Sequence, residues 1–311
     1  MPTILITGGT GLIGKALCQL LLGKGYDVII LTRNKPSTKK NVNADDRVSN
    51  ASWDIEKQII DPDAIRRADY IIHLAGAAVA DKRWSEKRKK EILESRTKSS
   101  ELIVKALHEI PNNIKAVVSA SAIGWYVPTN PQEKRIETDP PDPGFLGETC
   151  RLWEESIDPV TAMGKRLVKL RTGIVLSNEG GAFPEFKKSI KSGFATILSS
   201  GKQIVSWIHI DDLCRIYLEA ITNEKLQGVY NAVAPRPIDN KTFTLELAKK
   251  IKGKFYATLY IPTFLLKIFL GEMSIEVLKS TDVSADKIKN TGFQFLYPTV
   301  EAAFMELIKV K

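Results

Sequence analysis

Thr7-Gly-Gly-Thr-Gly-Leu-Ile-Gly14 stands between a short apolar run, Ile4 to Thr7, and a stretch from Leu12 to Leu22 whose apolar residues recur at helical spacing. In that strand–turn–helix setting each glycine has its own task. Gly8 permits the tight turn, Gly11 lets the backbone come close to a ligand, and Gly14 lets the helix pack against the strand. The first turn of the helix leaves its N–H groups unpaired at the positive end of the helix dipole, so the seat suits a phosphate. The pattern predicts a dinucleotide site built from Gly8, Thr10, Gly11, Leu12, Ile13 and Gly14.

The next apolar run, Val28 to Thr32, reads as the second strand and ends Leu31-Thr32-Arg33-Asn34. A site for NAD usually has an acidic residue here to accept from the ribose 2′-hydroxyl. A carboxylate would repel a 2′-phosphate, whereas Arg33 can pair with one through its planar fork. Lys35, Lys39 and Lys40 add positive charge nearby. Thr32, Arg33 and Asn34 therefore join the expected site, and NADP(H) is favoured over NAD(H).

The alternation continues outward. Tyr70 to Leu74 reads as a strand, a long charged helix follows from about Trp84 to His108, and Ala116 to Ser119 and Leu167 to Arg171 are further strands. The basic run Lys82 to Lys90 falls where that helix begins and reads as a solvated face. Apolar strands separated by helices predict an α/β fold with a doubly wound parallel sheet. After about Leu176 the regularity weakens at Gly180-Gly181, Pro184, Gly193 and Gly201. Residues 1–176 are expected to form the dinucleotide-binding domain. Residues 177–311 are expected to form a smaller C-terminal α/β lobe, interleaved with the first, that holds the substrate.

Bulk properties narrow the function classes. The 311 residues are 43% hydrophobic and 26% charged, as in an ordinary globular chain, with a net charge of +9 from 45 basic and 36 acidic residues. That excess suits an anionic ligand, but no aromatic–basic stripe accompanies it, so no nucleic-acid partner is expected. Cys18, Cys150 and Cys214 are scattered and only three histidines occur, so no metal site is expected and the cysteines fit a reducing, cytoplasmic compartment. No signal segment is read at the N-terminus, and Tyr260 to Leu270, broken by Pro262 and Lys267, is too short to span a bilayer. The expected partner is a small molecule, with no membrane, and the chain is expected to be a monomer or homodimer.

Beyond the turn, Leu74-Ala-Gly76, Asp81-Lys-Arg-Trp84, Ser95-Arg96, Leu170-Arg-Thr-Gly-Ile-Val-Leu176, Trp207-Ile-His-Ile-Asp-Asp212, Tyr230-Asn231, Gly271-Glu-Met273 and Gly292-Phe-Gln-Phe295 form a set. Over nearly its whole length the chain resembles the atypical "epimerase family" branch of the extended short-chain dehydrogenase/reductases, with its short C-terminal domain. The resemblance implies a Rossmann-type fold and an NAD(P) cofactor. It also implies backbone contacts to that cofactor from Leu74, Ala75 and Gly76, an approach to its phosphate and ribose side by Glu91 and Arg96, and a place near the adenine for Asp54.

The chemistry departs from that resemblance. Short-chain dehydrogenases normally act through Tyr-x-x-x-Lys, in which the lysine lowers the phenol's pKa from about 10 toward a working value. None of the eight tyrosines in the chain has a lysine four residues on. The segment where the pair is expected reads Phe145-Leu-Gly-Glu-Thr149, so Phe145 and Thr149 take the two positions. Ser121 matches the hydroxyl that serves the substrate oxygen, and Tyr126 is the nearest replacement acid, with Trp125 as wall or lid. His209 reads as structural, in a strand leading to a helix capped by Asp211 or Asp212. Two functions follow. One is an NADP(H)-dependent epimerase- or oxidoreductase-like enzyme acting on an unidentified small polar substrate; the other is a protein that binds NADP(H) without catalysis.

Overall fold

The computed structural model describes residues 1–33, 46–130 and 133–309. Its first half runs β1 (Thr3–Thr7), α1 (Leu12–Gly23), β2 (Asp27–Thr32), β3 (Val48–Asp54), β4 (Ile59–Ile60), α2 (Pro62–Arg67), β5 (Tyr70–His73), α3 (Glu86–Glu109), β6 (Ala116–Ala122), α4 (Phe145–Ile157) and β7 (Arg166–Thr172). The second half continues β8 (Ile174–Leu176), α5 (Ala182–Lys191), β9 (Phe194–Leu198), β10 (Ile204–Val205), β11 (Trp207–His209), α6 (Ile210–Thr222), β12 (Gly228–Ala232), β13 (Ile238–Asp239), α7 (Asn240–Lys252), β14 (Ala257–Ile261), α8 (Thr263–Leu270), α9 (Met273–Leu278), α10 (Asp286–Lys289) and α11 (Val300–Ile308).

The central sheet has the order β12-β7-β6-β5-β1-β2-β3-β4. Its pairs are parallel except β3 with β4. Being covered on both faces explains why β1 is continuously apolar. Ile4 and Ile6 enter the core shared with α1 and α6, while Leu5 enters the opposite core beneath α2 and α3. Local signals set the helix starts. Ser85 caps α3 by accepting from Arg88 N at 3.2 Å, and Asp61 caps α2 with Pro62 at its first position.

The chain leaves the sheet after β7 and returns to it. α6 packs on the core beside α1, and β12 pairs with β7 in parallel from Gly228–Val168 to Ala232–Thr172. Between and after these elements, α5, α7 and α11 gather a third core around Phe183, Phe243 and Phe304. α6 and β12, from beyond residue 176, thus complete the core and the sheet begun by the first half. The apolar stretch from Tyr260 divides between β14 and α8, and no helix among the described residues is long and apolar enough to cross a membrane.

Candidate active site at the C-terminal edge of the sheet

The glycine turn sits where β1 ends. Gly8 has φ of +69°, and a Cβ there would stand 3.0 Å from the Leu74 carbonyl group. A Cβ on Gly14 would collide with the backbone of Gly8 and Gly9, so the helix closes directly on the turn. Gly11 is different. It is exposed, it makes the N-cap of α1 with no side-chain cap, and its own Cβ would meet only Gly8 O, at 3.3 Å. The first-turn N–H groups of Leu12 and Ile13 therefore face an uncapped end with no acidic residue in that turn. The Gly180–Gly181 loop lies over the same point, where Cβ atoms would come 3.6 and 3.5 Å from the Leu12 side chain.

Beneath the turn lies a buried network that no sequence motif announces. Thr7 Oγ1 accepts from Leu74 N at 3.0 Å and Ala75 N at 3.1 Å, so its own proton goes to His73 Nδ1 at 2.8 Å. The imidazole proton is then on Nε2, facing the hydroxyls of Ser100 at 3.2 Å and Ser99 at 3.3 Å. Both serines pass their protons to backbone carbonyls. Complete burial, helped by Arg96, pushes the His73 pKa down to about 3, and the ring is neutral. The available signal was a threonine and a histidine at the ends of neighbouring apolar strands.

Thr32 closes β2, and Arg33 is exposed immediately after it; Asn34, Lys35, Lys39 and Lys40 lie outside the described residues. Asp54 is the last residue of β3. Its carboxylate accepts from Lys57 N at 3.0 Å and so closes the following turn. Past β5, Ala75 is buried and Gly76 runs against α3, where a Cβ would stand 3.1 Å from the Arg96 guanidinium carbon. Arg96 Nη1 donates to Ala77 O at 3.1 Å and Ile92 O at 2.8 Å. Glu91 is exposed and pairs with Arg88 at 2.7 Å, which holds its carboxyl below the usual range.

Ser121 and Tyr126 are both buried. The Ser121 hydroxyl donates to Glu154 Oε1 at 2.7 Å. Glu154 is gripped in turn by a two-pronged fork from Arg171, Nε at 2.8 Å and Nη2 at 3.0 Å. Arg171 Nη1 donates to Tyr126 Oη at 3.1 Å, the phenol donates to Asn231 Oδ1 at 2.6 Å, and the Trp125 ring covers the guanidinium at 3.5 Å. Burial pushes the phenol up to about 12, with Arg171 pulling the other way. Tyr126, expected as the replacement acid, thus gives its proton to Asn231 within the protein, and its ring is fully buried. A charged arginine at the end of the strand Leu167-Val-Lys-Leu170, beyond the charge already at Lys169, was the available signal for this network.

Comparison with known proteins fits this arrangement. The model of the NAD-dependent epimerase/dehydratase family matches residues 4–232, and that of a domain of unknown function (DUF1731) matches residues 261–307. The chain belongs to the epimerase/dehydratase family. An epimerase family protein of Staphylococcus saprophyticus is 33% identical over 310 residues, covering 99% of this chain and 100% of the relative. The crystal structure of a human epimerase family protein, SDR39U1 isoform 2, with NADPH superposes with a TM-score of 0.84 at 27% identity, covering 98% of each chain. A UDP-glucose 4-epimerase of Thermus thermophilus in complex with NAD shares the fold, with a TM-score of 0.74 at 19% identity over 98% of this chain and 97% of that one.

Within this epimerase-family chain, α4 carries Phe145 and Thr149, the two positions read for the missing pair, in contacts of their own. Phe145 turns away toward α3, edge-on to Trp84 at 4.9 Å, and the Thr149 hydroxyl donates to Phe145 O at 2.7 Å. The residues facing β6 and the turn that follows it are Leu146, Cys150 and Glu154, one turn apart. A Cβ on Gly124 would come 3.2 Å from Leu146 Cβ and 3.7 Å from Cys150 Sγ, and Cys150 lies 3.6 Å from Ala122 O. Burial pushes the Cys150 thiol up to about 11, against the pull of Arg96. His209, read as structural with Asp211 or Asp212 as the cap, is itself the cap. The helix begins at Ile210, so His209 itself caps it, Nδ1 accepting from Asp211 N at 3.2 Å. Asp212 is freed to accept from Leu296 N and Tyr297 N, both at 2.9 Å, which ties down the C-terminal segment.

Proposed function

We propose that the protein is an NADP(H)-dependent enzyme of the epimerase/oxidoreductase type, acting on a small polar substrate without a Tyr-x-x-x-Lys pair. The observation that carries the reading is the uncapped N-terminus of α1 at Gly11, beside a turn closed by glycines that leave no room for a Cβ at positions 8 and 14. A diphosphate fits that seat, because the unpaired N–H groups and the helix dipole meet its charge. Gly8, Thr10, Gly11, Leu12, Ile13 and Gly14 would hold the diphosphate, with Leu74, Ala75 and Gly76 alongside. Thr32, Arg33 and Asn34 would take the adenosine ribose, Asp54 would stand near the adenine, and Glu91 and Arg96 would approach the cofactor's phosphate and ribose side. Arg33 supports NADP(H) over NAD(H), and the NADPH in the human relative supports the same choice.

The cofactor, when bound, supplies hydride chemistry at its nicotinamide. The chain's own part is to bind, to orient and to exclude water. Ser121, near the end of β6, would orient the substrate oxygen, although its proton is given to Glu154. Water or a substrate group would then complete proton transfer. That same commitment, together with the missing Tyr-x-x-x-Lys pair, favours the second reading, a protein that binds NADP(H) without turnover.

The test is direct. Titrations should give tighter binding of NADPH than NADH, and Arg33→Ala should weaken NADPH by roughly tenfold or more while leaving NADH nearly unchanged. A bulky residue at Gly11 should abolish the rise in melting temperature that NADPH produces. Equal curves for the two cofactors would remove the NADP preference. Absence of NADPH oxidation across a panel of carbonyl compounds and nucleotide sugars would favour the non-catalytic reading.

A further inference from the structure

Two stretches that meet in space carry the whole of the chain's excess charge. Phe186 to Gln203 contains four lysines and Leu247 to Gly271 contains five, and neither contains an Asp or Glu. The chain has 45 basic and 36 acidic residues, so outside these stretches the two signs balance. The stretches lie together because β9 pairs with β14 in parallel, with Phe194 opposite Ala257, and Gly193 O accepts from Ala257 N at 2.9 Å. Lys191 and Lys254 precede the same rung, where α5 and α7 hand the chain to the two strands. Among the described residues none of the nine lysines is in an ion pair. A lysine at a helix C-terminus suits the helix dipole, which explains a few of them. It explains neither the missing acids nor the side chains that lie between.

Those side chains are apolar and open. Phe255 is 86% exposed and Phe269 73%, Phe194 and Leu259 are exposed on β9 and β14, and of the eight residues of α8 only Leu266 is buried. Phe264 and Ile268, one turn apart, form an outward stripe on that helix. Ser199 Oγ and Thr263 Oγ1, 2.8 Å apart, fasten the start of α8 to the end of β9, so strands and helix are held as one surface. Aromatic and branched side chains gathered in the open in this way mark a contact with something apolar. The charge says with what. A second copy would bring nine lysines against nine, and a nucleic acid would leave Leu259 and Ile268 without a partner. An anionic bilayer meets both needs, its phosphates facing the lysines and its acyl boundary taking the rings. We propose that β9, β14 and α8 form a peripheral docking face for an anionic lipid bilayer. This departs from the expectation of no membrane partner, and it concerns the bilayer surface alone, since the apolar stretch is too short to span.

The experiment floats the full chain with vesicles of phosphatidylcholine alone, or mixed with an equal amount of phosphatidylglycerol, at low and at physiological salt. Expected is binding to the mixed vesicles only, weakening as salt rises. Phe264→Ser combined with Phe269→Ser should weaken it about tenfold or more, because two exposed rings no longer enter the acyl boundary. Lys250→Glu combined with Lys254→Glu should weaken it on the order of 100-fold, since each unit of charge near the surface is worth roughly fivefold. Lys24→Glu combined with Lys90→Glu, outside both stretches, should weaken it less than about threefold, because charges beyond a Debye length of the lipid are screened. Every altered side chain is exposed, so melting temperatures should stay near that of the parent. No binding to the mixed vesicles, equal binding to both vesicle types, or undiminished binding by the phenylalanine variant would each overturn the proposal. Dimerisation of the parent that the phenylalanine variant loses, without vesicle binding, would overturn it in favour of a second copy. Binding of single-stranded DNA that the phenylalanine variant keeps and the lysine variant loses, again without vesicle binding, would overturn it in favour of a nucleic acid.

Discussion

His73 shows how one residue joins stability to the site. Its ring is neutral because burial and Arg96 oppose a second proton, and because Thr7 already directs its hydroxyl proton at Nδ1. Protonation would break that bond and loosen the hold of Thr7 on Leu74 N and Ala75 N, the backbone beside the glycine turn. The folded pKa, about 3, lies below the ordinary 6.5, so this contribution is complete above pH 6.5 and is lost as pH falls toward 3. Its full size is on the order of a few kcal/mol. His73→Gln should therefore be less stable at neutral pH and lose less stability on acidification, read as urea midpoints across that range. Parallel pH profiles for the two proteins would contradict the assignment.

At the scale of an element, α4 is the informative case. Its sequence offers two stripes, Phe145 with Thr149 and Leu146 with Cys150, and neither contains a proton donor of the usual kind. Only packing chooses between them: Glu154 must reach Ser121, and counting back by turns puts Cys150 and Leu146 on the face toward β6. Restoring a tyrosine and a lysine is thus expected to act through Leu146→Tyr with Cys150→Lys. The pair Phe145→Tyr with Thr149→Lys should leave NADPH oxidation where it was, because those positions address α3 and the helix's own backbone. Steady-state rates with a carbonyl panel compare the two double variants. Higher turnover from the second pair would reverse this register of α4 against β6.

Across the whole molecule, the Glu154–Arg171 pair works as a fastener. It joins α4 to β7, and through Tyr126 and Asn231 it reaches β12 and Ser284, in the segment before α10. Removing one partner leaves the other charge buried alone. Glu154→Gln or Arg171→Met should cost about 3–5 kcal/mol, whereas Glu154→Leu combined with Arg171→Met should recover much of that loss. Denaturant midpoints with unchanged slopes would report the effect. Single variants as stable as the parent would mean that water reaches the pair. Tyr126→Phe should lower stability by about 1–2 kcal/mol and leave any NADPH turnover unaltered, since its hydroxyl serves the same fastener. A large loss of turnover with unchanged stability would return Tyr126 to the chemistry.

What the sequence determined by itself is what short-range chemistry decides. The strand–turn–helix around Gly8 to Gly14 was legible because a left-handed glycine, an apolar run of two-sided strand and a helical period all fall within about twenty residues. The doubly wound sheet followed from repetition of that unit, and the absence of Tyr-x-x-x-Lys is a fact of spacing alone. Tertiary structure decided the rest, because the groups concerned are distant in the chain. Ser121 meets Glu154 across 33 positions, Thr7 meets His73 across 66, and Tyr126 meets Asn231 across 105. A hydroxyl's role depends on which partner takes its proton, and a cation's role on whether a carboxylate stands beside it. Those partners come from different strands and helices, and no local pattern records which of them the sheet will bring together.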